Sequence, residues 1–211
     1  SKGFLCRPVR EVMQHALDGN NIGLSAPRGT EVQGAWRHIF CSRHIIQHHT
    51  VSLKEVNYIF LTYLNKDMLA LKDRKMFAWI EDEQGRIPNI APAFVDDVQK
   101  AIGLSFVTTG TGDLQKTFGP EDVFHYIYAI FHCPGYRTRY AQFLKADFPR
   151  VPLTSNQELF RNLCAKGRKL ATLHLLESSA KPATGYPVPG DDTVGRGFPV
   201  YDAGNGLVRI N

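Results

Sequence analysis

Between Arg28 and Lys54 the chain carries four cations, Arg28, Arg37, Arg43 and Lys54, against one acid, Glu31. His38, His44, His48 and His49 lie among them, with the hydroxyls of Ser42, Thr50 and Ser52. Guanidinium, ammonium and small hydroxyl donors suit phosphate oxygens, and Arg or Lys can also donate to guanine edges in the major groove. The same composition also fits a solvated basic loop with no ligand. His44 and His48 could share a cation if both stood on one helical face. No HExxH pattern accompanies them, the nearest following acid is Glu55, and Thr50-Val51 favours extended chain. His44 is therefore read as a polar or phosphate-facing side chain, and no metal ligands are assigned.

Other chemistries find little support. Thr109-Gly110-Thr111-Gly112-Asp113 is glycine-rich, but no GK[ST] follows it, so it lacks the lysine and hydroxyl of a nucleotide cradle. Ser25-Ala26-Pro27-Arg28-Gly29 is not the GxSxG elbow of a hydrolase. No FxGxG-like or NPPY-like element for methyl transfer is present. Cys6, Cys41, Cys133 and Cys164 form no CxxC pair, so they read as buried, reduced thiols. No catalytic residue is assigned and no cofactor is expected within these residues.

The elements that must position the basic segment follow from periodicity. Arg7–Asp18 reads as a short helix stopped at Gly19. Strands are expected at Ile22–Ala26, Trp36–Cys41 and Tyr58–Leu64, from their β-branched and aromatic content. Phe77–Ile80 is a further candidate strand, and Pro92 opens a helix to Gly103 striped by Val95, Val98 and Ile102. Ser105–Thr117 reads as a loop. Pro120 then opens a helix that is apolar nearly all round, the pattern of a central, buried element. Tyr136–Ala146 reads as one helix with Tyr136, Tyr140, Phe143 and Leu144 inward. Asp147–Pro152 must be extended, because each proline disfavours helix before it. Ser155 with Glu158 forms a capping box for a helix reaching Leu176, striped by Leu159, Leu163, Leu170 and Leu173. Ser178–Arg196 is Pro- and Gly-rich, and Tyr201–Ile210 reads as a hairpin turning at Gly204-Asn205-Gly206. The fold class is thus α+β: a strand-rich part over residues 1–118, then a helical bundle with a terminal hairpin over 119–211.

The 211 residues carry a net charge of +5. Residues 1–60 hold seven Lys/Arg against four Asp/Glu, and 119–180 hold eight against five. In the second basic region, Arg137, Arg139, Arg150, Arg161, Lys166, Arg168 and Lys169 also fit a merely solvated helix surface. This distribution permits a polyanionic partner without requiring one. No apolar run approaches the roughly 20 residues that span a bilayer. Without a signal-peptide core at its start, the chain is expected to be cytoplasmic. The absence of an initiator Met suggests a piece of a longer polypeptide.

Two blocks of sequence carry a family resemblance. The first comprises FLCRPVREVMQHALDGNNIGL, WRHIFCSRHIIQHHTVS and NYIFLTYL. The second is DVFHYIYAIFHCPGYRTRYAQFLKADFPRVPL, followed by LHLLE. The chain resembles the C-terminal specificity domain of Type ISP restriction–modification enzymes, single polypeptides that combine nuclease, helicase, adenine methyltransferase and DNA-recognition parts. The resemblance is weakest over about Asn65–Asn89. It implies that these residues form a target recognition domain for double-stranded DNA, joined to the methyltransferase core of the same polypeptide. S-adenosylmethionine, ATP and Mg would then belong to the full-length enzyme. Arg43 and Lys54 become the leading DNA contacts, with Arg28, Arg37 and His44 beside them, while Tyr126, Tyr136 and Pro149 serve architecture. A module that docks other domains without reading bases is the alternative.

Overall fold

The computed structural model describes residues 13–17, 19–30, 36–50, 54–69, 81–181, 185, 190–191 and 193–211. The expected helix over Arg7–Asp18 lies largely outside these residues, though Gln14–Ala16 within it form a 3-10 turn. The candidate strand at Phe77–Ile80 and Cys6 also lie outside them. The fold is α+β, with strands in the first half, helices over residues 120–174 and a terminal hairpin. Two compact units divide it, the first ending at Ser178 and the second spanning Ser179–Asn211.

Strand β1 (Gly23–Pro27) is the middle of a three-stranded antiparallel sheet, between β2 (Phe40–Ser42) and β3 (Asn57–Leu61). In register, Leu24 faces Cys41 and Phe60, and Ala26 faces Tyr58. Paired residues share a sheet face; on this one Leu24, Ala26 and Cys41 pack into the core, while Tyr58 and Phe60 meet Phe148 edge-on. Gly23 sits on the other face, where a Cβ would come within 2.6 Å of Ile59. The strand expected over Trp36–Cys41 is shorter than its pattern suggested. Trp36 is nevertheless buried, edge-on to Phe131 at 6.1 Å between ring centroids.

The single strand expected over Tyr58–Leu64 is two strands. Thr62 divides it: its N–H and its hydroxyl both donate to Ile22 O, at 2.9 and 2.8 Å. The chain beyond leaves the first sheet, and β4 (Tyr63–Asn65) pairs with β5 (Arg86–Pro88). Buried Asn21 staples this junction. Its Nδ2 donates to the carbonyls of His15 and Tyr63, and its Oδ1 accepts from Tyr63 N. A buried amide with both ends bonded costs little, whereas an orphaned one costs roughly 1–3 kcal/mol.

Helix α1 (Pro92–Ile102) runs as its pattern predicts, with Val95, Val98 and Ile102 buried and Gly103 at φ +71° closing it. Ser105–Thr117 is not wholly a loop. Its ends belong to short parallel strands, β6 (Ser105–Phe106) and β7 (Thr117–Phe118). Helix α2 (Pro120–His132) is buried on nearly every side, as its all-round apolar character demands. The stretch expected as one helix from Tyr136 breaks at Tyr140 (φ −105°, ψ 15°) into α3 (Pro134–Arg139) and α4 (Ala141–Ala146). The break changes the phase of the second half. Tyr136 and Leu144 point inward as expected, but Phe143 is 74% exposed.

Helix α5 (Gln157–His174) packs along α2. Its cap is Asn156, whose Oδ1 accepts from Leu159 N at 2.9 Å, rather than a Ser155–Glu158 box. Its buried face is Phe160, Cys164, Gly167 and Ala171. The leucines lie beside that face, with Leu163 and Leu170 half-buried and Leu159 and Leu173 exposed. Small residues set the phase because the helices touch backbone to backbone: a Cβ on Gly167 would stand 1.8 Å from His125 O. Strands and helices of the first unit share one core, joining Ile22, Ala26, Trp36 and Ile39 to Phe118, Phe131 and Phe160. In the second unit, β8 (Val200–Asp202) and β9 (Leu207–Arg209) form the expected hairpin. Asp202 organises its turn by accepting from Gly204 N and Asn205 N.

Candidate nucleic-acid interface

Arg28 follows β1 directly, and Lys54 lies three residues before β3, whose Asn57 pairs with Pro27. The sheet register therefore brings both cations to one end of the sheet. There they line a cavity of about 310 Å3 with Gly29, Thr30, Glu55, Val56, Tyr58 and Lys145. Lys145 comes from α4, far away in sequence. Gly29 brings it there: at φ +91° it lies so close to α4 that a Cβ would be 2.6 Å from Lys145 O. Thr30 N donates to that same carbonyl at 3.2 Å. The cavity thus gathers three cations from three separate stretches of chain around one buried carboxylate, Glu55, which accepts from Thr30 Oγ1 at 2.9 Å.

Arg28 is also tied sideways. Its Nε donates to Asp147 Oδ1 at 3.1 Å, and both side chains remain more than half exposed. The Phe148 backbone N–H, with help from Arg28, holds the Asp147 carboxyl below the usual carboxylate range.

Arg43 and His44 are elsewhere. Ser42 faces Gly23 at the opposite end of β1, about 13 Å along the sheet at roughly 3.3 Å per residue. Arg43 makes a two-point ion pair with Glu177, Nε to Oε1 at 2.5 Å and Nη2 to Oε2 at 3.1 Å. That pair ties the end of β2 to the end of α5. It raises the Arg43 pKa and lowers that of Glu177. His44 is exposed in a bend, where its N–H donates to Ser42 Oγ. Residues 43–50 form bends and turns rather than helix, so His44 and His48 share no helical face. Arg37 is exposed near Arg137, whose guanidinium lies 5.8 Å over Trp36 and donates to Phe131 O. Burial lowers the Arg137 pKa, and the nearby Arg37 charge adds to that.

Several cations of the helical part serve the fold. Arg161 Nε donates to Leu114 O, and Arg168 lies 3.5 Å from Asp122. The glycine-rich loop is likewise structural. Gly112 N and Gly119 N donate to Asp122 Oδ2, and Gly110 N donates to Tyr63 Oη. Those N–H groups are unavailable to a phosphate. Burial raises the Asp122 pKa, against the pull of these donors and of Arg168.

Among the described residues no three His, Cys, Asp or Glu side chains are grouped to hold a metal ion. Cys164 is buried as expected, but Cys41 is half-buried and Cys133 exposed. Burial raises the pKa of both Cys41 and Cys164, so neither is an activated thiolate. Tyr126 and Tyr136 are architectural, donating to Pro152 O at 2.8 Å and Arg150 O at 2.7 Å. These bonds hold the extended 147–152 segment against α2 and α3. Among the described residues no helix is long and apolar enough to cross a membrane.

Sequence reading missed Lys145 altogether. Its only signal is its position in FLKADFPR, one turn from a proline-bound segment that must stay extended.

The family model described as the Type ISP C-terminal specificity domain matches residues 1–211. Among solved structures, a chain of the "cryoEM structure DrdV-DNA complex" is similar, with a TM-score of 0.51 and 23% identity over 82% of this chain. That likeness is one of fold, and this chain spans only 14% of the length of that one. No curated protein matches. Matched over its full given length by that family's model, the chain belongs to the Type ISP C-terminal specificity domain family.

Proposed function

We propose that this chain is the part of a restriction–modification enzyme that recognises a specific sequence in double-stranded DNA. The observation that carries the reading is the convergence of Arg28, Lys54 and Lys145 on one cavity, in a chain of a specificity-domain family. The similar solved chain comes from a structure described as a DNA complex. Phosphate contacts at this cavity would place the duplex, and other side chains would read base edges. Arg37, Arg43 and His44 remain candidates for that second role, Arg43 only after yielding its bond to Glu177. The chain itself carries no catalytic step. Adenine-N6 methylation, with S-adenosylmethionine, ATP and Mg, belongs to other parts of the full-length protein in this reading, and the methyltransferase core is its covalent partner. The compartment is the cytoplasm.

The test is a salt series with duplex DNA. Each phosphate contact contributes about 0.9 to the slope of log K against log salt. Lys54→Ala and Lys145→Ala should each flatten that slope by about one and weaken binding to all sequences alike. Unchanged slopes in both variants would show that the cavity does not hold the backbone.

A further inference from the structure

Beside the cationic cavity lies a second one of about 350 Å3, walled by α3, α4 and the extended segment 147–152. Each is within the roughly 300–1,000 Å3 range of small-molecule sites. The second is apolar, with Tyr136, Tyr140, Phe143 and Phe148 as its rings. The partition between the two is thin. Lys145 lines the first, while its chain neighbours Leu144 and Ala146 line the second. The Arg28–Asp147 ion pair bridges the boundary. Tyr58 of the first meets Phe148 of the second edge-on, at 5.2 Å between centroids.

Phe143 sets the chemistry. It is the largest exposed ring of this wall, 74% in solvent, on a helix whose other face is packed. Tyr140 beside it is half-buried, with the Arg139 guanidinium 5.9 Å over its ring. Arg150 is exposed on the far wall. Flat apolar surfaces next to a cluster of cations match a ligand with a flat apolar part and an anion: a nucleotide. Paired DNA hides its base faces in the stack, so an intact duplex cannot use the aromatic wall. An unstacked base can.

We propose that the two cavities together seat one unstacked nucleotide of a nucleic acid strand, its phosphate against Arg28, Lys54 and Lys145 and its base against Phe143 and Tyr140. This rests on the phosphate reading of the cationic cavity and goes beyond duplex recognition.

The probe is 2-aminopurine, placed in a short single strand, in its fully paired duplex, and in a duplex where it is unpaired. The whole chain is titrated into each. With the single strand and the unpaired duplex, the fluorescence should change and saturate. Phe143→Ala should remove most of that change and weaken single-strand binding about tenfold, while paired-duplex affinity moves less than twofold. Because Phe143 is exposed, the variant keeps its fold, which circular dichroism checks. Lys145→Ala should weaken all three. A fluorescence change that survives Phe143→Ala, or that is equally large with the paired duplex, overturns the seat. Duplex binding with no single-strand signal overturns the seat and leaves duplex recognition standing. Phe143-dependent single-strand binding without duplex binding does the reverse. If neither nucleic acid binds, both fall, and an aromatic wall that serves protein docking takes their place.

Discussion

Gly167 shows how one absent side chain decides a helix contact. In an exposed helix, alanine is favoured over glycine by about 1 kcal/mol. Here the added methyl would lie 1.8 Å from the carbonyl oxygen of His125. Backbone cannot rotate away as a side chain can, so the helices must separate. Gly167→Ala should destabilise the fold by about 2 kcal/mol despite its better propensity, read as a lower urea midpoint. A neutral or stabilising result would mean that α2 and α5 slide freely. Next to that contact, burial lowers the His125 imidazole from an ordinary value of 6.5 to about 4, and the Arg168 charge adds to it. The unfolded chain takes up a proton near pH 6.5, but the folded one not until about pH 4. The stabilisation from neutral His125 is therefore complete above pH 6.5 and is lost as pH falls towards 4, about 3 kcal/mol in total. His132 and His174 are lowered in the same sense. Unfolding midpoints should fall across that window. His125→Gln should lose part of the slope, whatever its stability at neutral pH, and an unaltered slope would assign the effect to other groups.

At the scale of elements, periodicity was legible and phase only in part: α1 buries the stripe its pattern names, and α5 does not. The long C-terminal helix exists where its pattern places it, but its buried face is Phe160 with the small residues Cys164, Gly167 and Ala171 rather than the leucines. A hydrophobic stripe identifies which residues prefer burial; it does not say how closely the partner approaches. The N-cap shows a similar shift. Ser155 and Glu158 satisfy a capping-box pattern, yet Asn156 takes the role because the helix begins one residue later. Asn156→Ala should cost about 1 kcal/mol in thermal or urea unfolding, and Ser155→Ala no more than a few tenths. Equal costs would restore the earlier start. The kink at Thr62 was hidden because it depends on bonds to a distant residue, Ile22 O, that local propensity cannot report.

On the scale of the whole molecule, the basic segment was visible as composition but not as a surface. Arg28 and Lys54 meet because β1 and β3 pair in a register that sets Pro27 opposite Asn57. Arg43 and His44, close in sequence to both, are carried to the far end of the sheet. Lys145 joins the first pair only through the meeting of Gly29 with α4. Charge counting had no access to any of these. The same geography orders the DNA measurements: variants at Arg28, Lys54 and Lys145 should alter one shared salt slope, while those at Arg43 should depend on Glu177. The meeting of Gly29 with the Lys145 carbonyl also bears on recoding. Replacing residues 31–53 with the matching stretch of another family member would exchange the candidate reading groups Arg37, Arg43 and His44 while keeping Lys54 and Lys145 in place, provided Gly29 is retained. A splice that brings any other residue to position 29 would push α4 away and misplace the anchor, however well chosen the new stretch.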